Sequence, residues 1–508
     1  MAAQTRTSSR LLLVVSSSVA LFAVLARAVS SEMFLDGVTY AAIARNMAFG
    51  QGSFWAPHYT AHLSPFHQHP PLAMWAQSLA FRVFGDRPGI EYWWGVGLTV
   101  VSCVLLVVVW RVAHACAGGT GVRVAAETSW WPLLLLTSFP LFSWCAANNM
   151  LENTLLPMSL AAIALALAAA RERSWRAFPY GIGSGVAAFL CVLVKGPPGL
   201  FALVTPACAA LLHRTPGRAS RGLVVVAAGF VAAALVTAAL GGGAARAFAA
   251  GYVRDQLVPS VSGARELASC RFQLVRALAI EAVLPVALAA AGVLLAGRRA
   301  SRRRVPRTCW FFLALGVCAA GPFVLFRKQM DWYLAPALPL LAMALASFTG
   351  DAALSATRTC AAGPRARRAL VVMSLALVVS GGVLAGPLAR LLPVSGVVGL
   401  RDAWRELRTG QRADDRQSEY AWSHFKRDIL DQHMTLATGA TMSAAAPYSL
   451  WRLVAYMERY YGVGVTPRMG ESLLLVEQAP GEPAQASVNC VRLQPQVPAR
   501  FFVFRCVM

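Results

Sequence analysis

The sequence predicts an all-α polytopic membrane protein with about eleven transmembrane helices and a small C-terminal extracytoplasmic α/β or α+β domain. Three observations carry that prediction. The 508 residues are 57% hydrophobic and only 14% charged, with a mean hydropathy of +0.55; soluble domains run at about 45–50% and 25%. Apolar runs long enough to cross a hydrocarbon core of about 30 Å recur along the chain. Arginine-rich segments occupy alternate connections between those runs. The composition excludes an ordinary cytosolic enzyme, a disordered chain and a small disulfide-stapled scaffold.

The apolar runs fall at 11–30, 95–114, 130–147, 151–170, 178–194, 197–212, 222–241, 276–297, 308–326, 332–349 and 369–388. The first follows Arg6 and Arg10 and contains Ala26-Arg27-Ala28, as a signal peptide would. Its length and the spans that follow favour a signal-anchor helix. With the N-terminus cytoplasmic, the even-numbered connections should be the basic ones. Arg111 and Arg123 flank the second; Arg171, Arg173 and Arg176 lie in the fourth, and Arg214, Arg218 and Arg221 in the sixth. The eighth runs from Arg298 through Arg304 to Arg307, and the tenth holds Arg358, Arg365, Arg367 and Arg368. The formal net charge of +23 is thus largely absorbed by cytoplasmic loops, and no nucleic-acid partner is needed to explain it.

This organisation gives a membrane domain over 1–388, with an outer loop at 31–94, and an extracytoplasmic domain over 389–508. A second outer loop is expected at 242–275, with Tyr252, Arg254 and Asp255 ahead of a turn at 259–263. In the C-terminal part, Trp404, Arg405, Glu406 and Arg408 read as helix and connector, and 450–461 as helix. Runs at 471–477, 486–493 and 501–507 read as strands. None of the eleven cysteines forms a CxxC motif. Cys103, Cys145, Cys191, Cys208 and Cys318 read as small buried thiols. Cys490 and Cys506 are able to form a disulfide if their region lies outside.

Polar chemistry gathers at the outer turns. Asp36, Tyr40 and Ile43 have helical spacing, so a short interfacial helix can present Asp36 and Tyr40 on one side. Asp36 reads either as an N-cap or as a carboxylate able to take a proton. His58, His62, His67 and His69 lie within twelve residues and offer imidazoles to a divalent ion such as Zn, Mg or Mn, though in no fixed-spacing motif. His69-Pro70-Pro71-Leu72 gives a stiff extended lead into the helical run 73–84. Glu152 sits with Asn148, Asn149 and Asn153 in one outer turn, and Lys195 opens Lys-Gly-Pro-Pro-Gly in another. Arg327 and Lys328 precede Asp331, Trp332 and Tyr333. The chain has only three lysines, and two of them fall at outer turns. Each reads either as a snorkelling side chain or as a contact for a lipid-linked phosphate. No phosphate-binding glycine loop supports use of a nucleotide.

The order of these pieces resembles the membrane glycosyltransferases of the ArnT/protein-mannosyltransferase type, the GT-C architecture that uses polyprenyl-phosphate sugars. The segment 36–45 is similar to the family's first-loop segment, in which an Asp-Glu pair is common; Asp36 stands for the Asp and Gly37 replaces the Glu. Gln68-His69-Pro70-Pro71-Leu72 resembles its Glu-Lys-Pro-Pro-Leu segment, with Gln and His replacing Glu and Lys. Glu152, Lys195-Gly196-Pro197 and the stretch 328–336 resemble later elements. The resemblance spans about 10–350.

It implies inverting transfer of a hexosyl or pentosyl group from a polyprenyl-phosphate donor to an envelope lipid, glycan or protein. The site would lie outside a bacterial inner membrane. Asp36 and Glu152 would be the catalytic carboxylates; Lys195, Arg327, Lys328, His69 and Arg45 would hold the donor phosphate. Tyr40 and Tyr333 would contact substrate. The competing readings are a transporter of lipid-linked sugar, which would carry paired repeats and polar groups deep in spans, and a non-catalytic membrane assembly protein.

Overall fold

The computed structural model describes residues 2–30, 33–60, 65–87, 89–118, 121–172, 174–212, 216–263, 271–296, 305–326, 328–359, 371–372, 374–375, 441–443, 459, 464–466, 473–477, 490–492 and 501–506. The chain divides into two compact units. The first comprises Met1–Ser31, Gln68–Pro70 and Gly95–Ala403; the second comprises Glu32–His67, Pro71–Trp94 and Trp404–Met508.

The first unit is helical. Its elements are α1 (Ala2–Ser30), most of α4 (Ile90–Ala117), α5 (Gly121–Thr128), α6 (Trp130–Thr137), α7 (Pro140–Ala147), α8 (Leu151–Arg171) and α9 (Ala177–Lys195). There follow α10 (Thr205–Ala209), α11 (Pro216–Tyr252), α12 (Val258–Ser262), α13 (Gln273–Glu281), α14 (Val283–Ala296), α15 (Arg307–Leu325), α16 (Leu338–Phe348) and α17 (Gly350–Thr359). Seven helices among the described residues are long and apolar enough to cross a membrane, or up to nine if each bent pair counts as one span. This is a multi-pass membrane architecture. Many apolar side chains of α11 point outward, among them Val224, Leu235 and Leu240, the surface a helix presents to lipid rather than water.

The two bent pairs are α6–α7, turning by 75°, and α16–α17, turning by 70°. Pro140 at the first position of α7 explains the first break, because its ring cannot donate to the preceding turn. Small residues set the closest helix approaches. Ala162, Ala188 and Ala202 form a fully buried cluster, and a Cβ on Gly185 or Gly229 would strike backbone across the α9–α11 contact. Arg27 of α1 is buried and donates to Ser143 Oγ of α7 at 2.9 Å, which ties the first span into the bundle.

Two sequence expectations are corrected here. The sixth expected span, 197–212, is a 3-10 turn at Pro197–Val204 followed by the five residues of α10. At about 2.0 and 1.5 Å per residue it reaches roughly 24 Å, short of the membrane core. The expected loop over 242–275 begins at a real break, Gly242 with φ +52°, but beyond that kink the chain is helical as far as Ser262: α11 continues to Tyr252, and a π-helical turn at Val253–Leu257 leads into α12. The widened turn accommodates Pro259, and the helix stops only at Gly263 with φ +77°. The eleventh run, 369–388, and the basic residues 298–304 lie outside the described residues, apart from a few helical positions at 371–375.

The second unit contains α2 (Leu35–Ala48), a two-residue hairpin of β1 (Gly52–Ser53) and β2 (Ala56–Pro57), α3 (Leu72–Phe84) and the first turn of α4. It also holds a five-stranded mixed sheet in the order β4 (Gly464–Thr466), β3 (Thr441–Ser443), β5 (Leu473–Glu477), β7 (Phe501–Cys506), β6 (Cys490–Arg492). Strands β5, β6 and β7 fall inside the three expected runs; β3 and β4 were not anticipated. The β6–β7 register sets Cys490 and Cys506 opposite one another along the backbone. The expected helices around 404–408 and 450–461 lie outside the described residues, Arg459 excepted.

Candidate active site

In the first unit, three predicted residues come together. Glu152 sits in the first turn of α8, Lys195 is the last residue of α9, and Tyr333 lies in a 3-10 turn at Asp331–Leu334. The Lys195 ammonium and the Glu152 carboxylate form an ion pair, with side chains only 6% and 1% exposed. The Tyr333 ring covers the ammonium with its centroid 4.9 Å from Nζ. Beside it, Trp332 stacks on Trp144 of α7 at 5.8 Å and 21°. A buried ammonium paired with a carboxylate and covered by an aromatic face is a desolvated ion pair whose charges are already oriented.

Local sequence explains each placement. Gly196 takes φ +78°, which ends α9, and Pro197 and Pro198 bar its continuation as an α-helix. A Cβ at Gly196 would collide with the Tyr252 hydroxyl, so the end of α11 closes over the Lys-Gly turn. Asn149 adopts φ +51°, a left-handed conformation that asparagine tolerates, and turns the chain from α7 into α8. Asn148 donates to Trp144 O at 3.0 Å, and Asn153 donates to Gly95 O at 3.4 Å. These bonds fix the turn that carries Glu152.

Gln329 fixes the segment before Tyr333. Its Nε2 donates to the carbonyls of Arg271, Val324 and Phe326 at 2.8, 3.0 and 3.0 Å, and its Oε1 accepts from Leu274 N at 3.0 Å. Lys328, half-buried, immediately precedes this knot. Burial pushes the Asp331 carboxyl above the usual range, against the Gln273 hydrogen bond and the Arg276 charge. Arg327 lies outside the described residues.

In the second unit, α2 is the helix expected from the Asp36–Tyr40–Ile43 spacing. Phe34, not Asp36, is its N-cap, and no side-chain cap bond is made. Asp36 therefore stands inside the first turn, half-buried, and the N-cap reading is set aside. Tyr40 is buried. Arg45 donates to Asp86 Oδ2 at 2.6 Å.

The histidine expectation fares differently. His58 and His67 belong to the second unit and His69 to the first, and all three are half-buried; His62 lies outside the described residues. Among the described residues no group of three or more His, Cys, Asp or Glu side chains is disposed to hold a metal ion.

Sequence reading missed several buried charges. Glu281 is 1% exposed within an apolar helix pair and accepts from Leu141 N at 3.0 Å. The signal was a lone acid inside the apolar run 276–297. Arg459 is buried in the second unit, where it donates to Asp86 Oδ1 at 3.0 Å, to Arg87 O at 3.0 Å and to Glu91 Oε2 at 2.8 Å. Its guanidinium also lies 4.9 Å from the Phe81 ring centroid. No sequence pattern marks Arg459 among the many arginines.

No protein-family profile and no curated protein matches the chain. Among solved structures, the chain is similar to ArnT from Cupriavidus metallidurans bound to undecaprenyl phosphate, at 21% identity and a TM-score of 0.48, covering 75% of this chain and 65% of that one. The apo form of that protein gives 20% identity and a TM-score of 0.43, with coverage of 72% and 62%. The oligosaccharyltransferase AglB from Archaeoglobus fulgidus, in complex with an inhibitory peptide and a dolichol-phosphate, gives 14% and 0.43, with coverage of 89% and 64%. The chain thus spans just under two thirds of the length of each.

Proposed function

We propose that this protein is a membrane glycosyltransferase that moves a sugar, with inversion, from a polyprenyl-phosphate donor to a lipid, glycan or protein acceptor at the outer face of a bacterial inner membrane. The observation that carries the reading is the buried Lys195–Glu152 pair under the Tyr333 ring, at the ends of apolar helices. A lipid phosphate arriving from the bilayer meets a cation already desolvated, so its charge-assisted bonds need little reorganisation. Glu152 keeps Lys195 charged and directed before the donor arrives. Lys328 adds a second cation, and Arg327, His69 and Arg45 are its proposed helpers. Tyr333 and Tyr40 supply apolar faces for the sugar.

In the reaction, the acceptor oxygen forms a bond to the anomeric carbon as the bond from that carbon to the phosphate oxygen breaks. Asp36 takes the acceptor's proton, and polyprenyl phosphate leaves with its negative charge held by Lys195 and Lys328.

The test is sugar transfer by the full-length protein in liposomes with a polyprenyl-phosphate sugar. The acceptor is first identified by mass analysis of envelope lipids, glycans and proteins with and without the gene. Lys195→Met and Lys328→Met should each raise the donor concentration needed for half-maximal rate or lower turnover, with membrane insertion intact. Unchanged donor dependence and rate in both variants would defeat the assignment.

A further inference from the structure

The break between α6 and α7 takes the first N–H groups of α7 out of the regular helical ladder, in an apolar interior where an unsatisfied group is costly; Phe139 N and Phe142 N are met by the carbonyls of Leu136 and Phe139, each at 3.1 Å. Pro140 removes one of those donors, and Glu281 accepts the next, from Leu141 N at 3.0 Å. One residue pair further along, Arg27 donates to Ser143 Oγ at 2.9 Å. Buried ionisable groups on α13 and α1 thus grip an eight-residue helix near its start. The other end of α7 leads to the candidate site. Trp144 stacks on Trp332, next to Tyr333 over Lys195, and the turn after Ala147 carries Glu152.

We infer that Glu281 is a positioning residue: as acceptor for the N-terminus of α7, it sets the place of Trp144 and of the 148–153 turn, and so the geometry of the Lys195–Glu152 pair. The bond to Leu141 N asks only for an acceptor oxygen, which glutamine also offers. The effect on donor use rests on the proposed function; the effect on α7 does not.

The test uses full-length protein in nanodiscs and compares Glu281→Gln, which keeps an acceptor oxygen and the size, with Glu281→Met, which keeps only the size. Cys145, on α7 and 4% exposed, is read by peptide-level mass analysis of N-ethylmaleimide labelling; both variants remove the same Glu281 charge that acts on this thiol, so the difference between them reports the helix. Glu281→Met should speed Cys145 labelling by about tenfold or more, and Glu281→Gln should stay within about threefold of wild type. The half-saturating concentration of lipid-phosphate sugar should follow the same order, with turnover changed less. Protected Cys145 in Glu281→Met, or equal exposure in both variants, would overturn the inference. If Glu281→Met does not accumulate, rapid labelling in Glu281→Gln overturns it and retained protection upholds it. A labelling response in a protein that transfers no sugar would uphold Glu281's role while removing the glycosyltransferase reading.

Discussion

Replacing Lys195 with methionine keeps the aliphatic bulk but strands Glu152, whose side chain is 1% exposed, without its lysine. Breaking a buried pair by removing one partner costs about 3–5 kcal/mol, because the remaining charge keeps its desolvation penalty. The reverse variant, Glu152→Gln, should cost less. Lys195 would still lie 4.9 Å from the Tyr333 centroid, and a desolvated cation–π contact offsets about 2 kcal/mol, leaving a loss of about 1–3 kcal/mol. Removing both charges should return stability to within about 1 kcal/mol of wild type, since a neutral buried pair carries no such penalty. Equilibrium unfolding in mixed lipid–detergent micelles gives the four corners of this cycle, and donor titration gives the second axis. The double variant should regain stability but not donor use. Strictly additive unfolding energies would refute the pair as an energetic unit. Restored donor use in the double variant would reduce Lys195 to a structural partner of Glu152.

Four further expectations follow from the same geometry. Asp36→Asn should lower turnover by about 100-fold or more with little change in stability or insertion, because Phe34 rather than Asp36 caps α2; near-wild-type turnover would exclude it as the base. Arg459→Met should destabilise the second unit by about 3–5 kcal/mol, with partial recovery on adding Glu91→Gln, as read by protease sensitivity of the first loop. Asp331 has a raised folded pKa, so its stability term is most favourable at low pH and is lost as pH rises through that folded pKa; Asp331→Asn should flatten this decline in unfolding midpoints. Reporters fused after residues 60, 262 and 440 should lie outside and one after 305 inside, and finding 305 and 440 on one side would break the topology.

The architecture was legible where a periodic signal repeats over many residues. Hydropathy located α4, α8, α9 and α15 to within a few residues, because each is one uninterrupted apolar helix. The same averaging hid the α6–α7 break, since Ser138 and Pro140 interrupt the helix without lowering the hydropathy of the run. It also hid Glu281, a single charge diluted by its neighbours. The loop reading of 242–262 held only at Gly242, where the helical path does kink; beyond it, the polar residues 252–255 and the turn expected at 259–263 are carried on helix, because in an apolar setting unmet backbone groups favour a helix bent around them. For the site, topology alone put Glu152 and Lys195 at turns of the same sign. That they pair was beyond the text, because 43 intervening residues fix no distance. The partners of Arg459 lie even further away along the chain, and only tertiary structure joins them.

That last separation has a consequence for biosynthesis. Asp86 and Glu91 emerge early, yet the guanidinium that joins them belongs to a residue made 373 positions after Asp86. Asp86 meets Arg45 from the start, but at about 5–20 residues per second translation leaves the Asp86–Arg45 pair and Glu91 waiting roughly 20–75 s for Arg459. During that interval the chain has the sequence of α2 and α3 and the Arg45–Asp86 pair, but lacks the Arg459 bonds to Asp86 and Glu91. Completion of the second unit is therefore a late event, and a ribosome stalled before codon 459 leaves that unit unfinished.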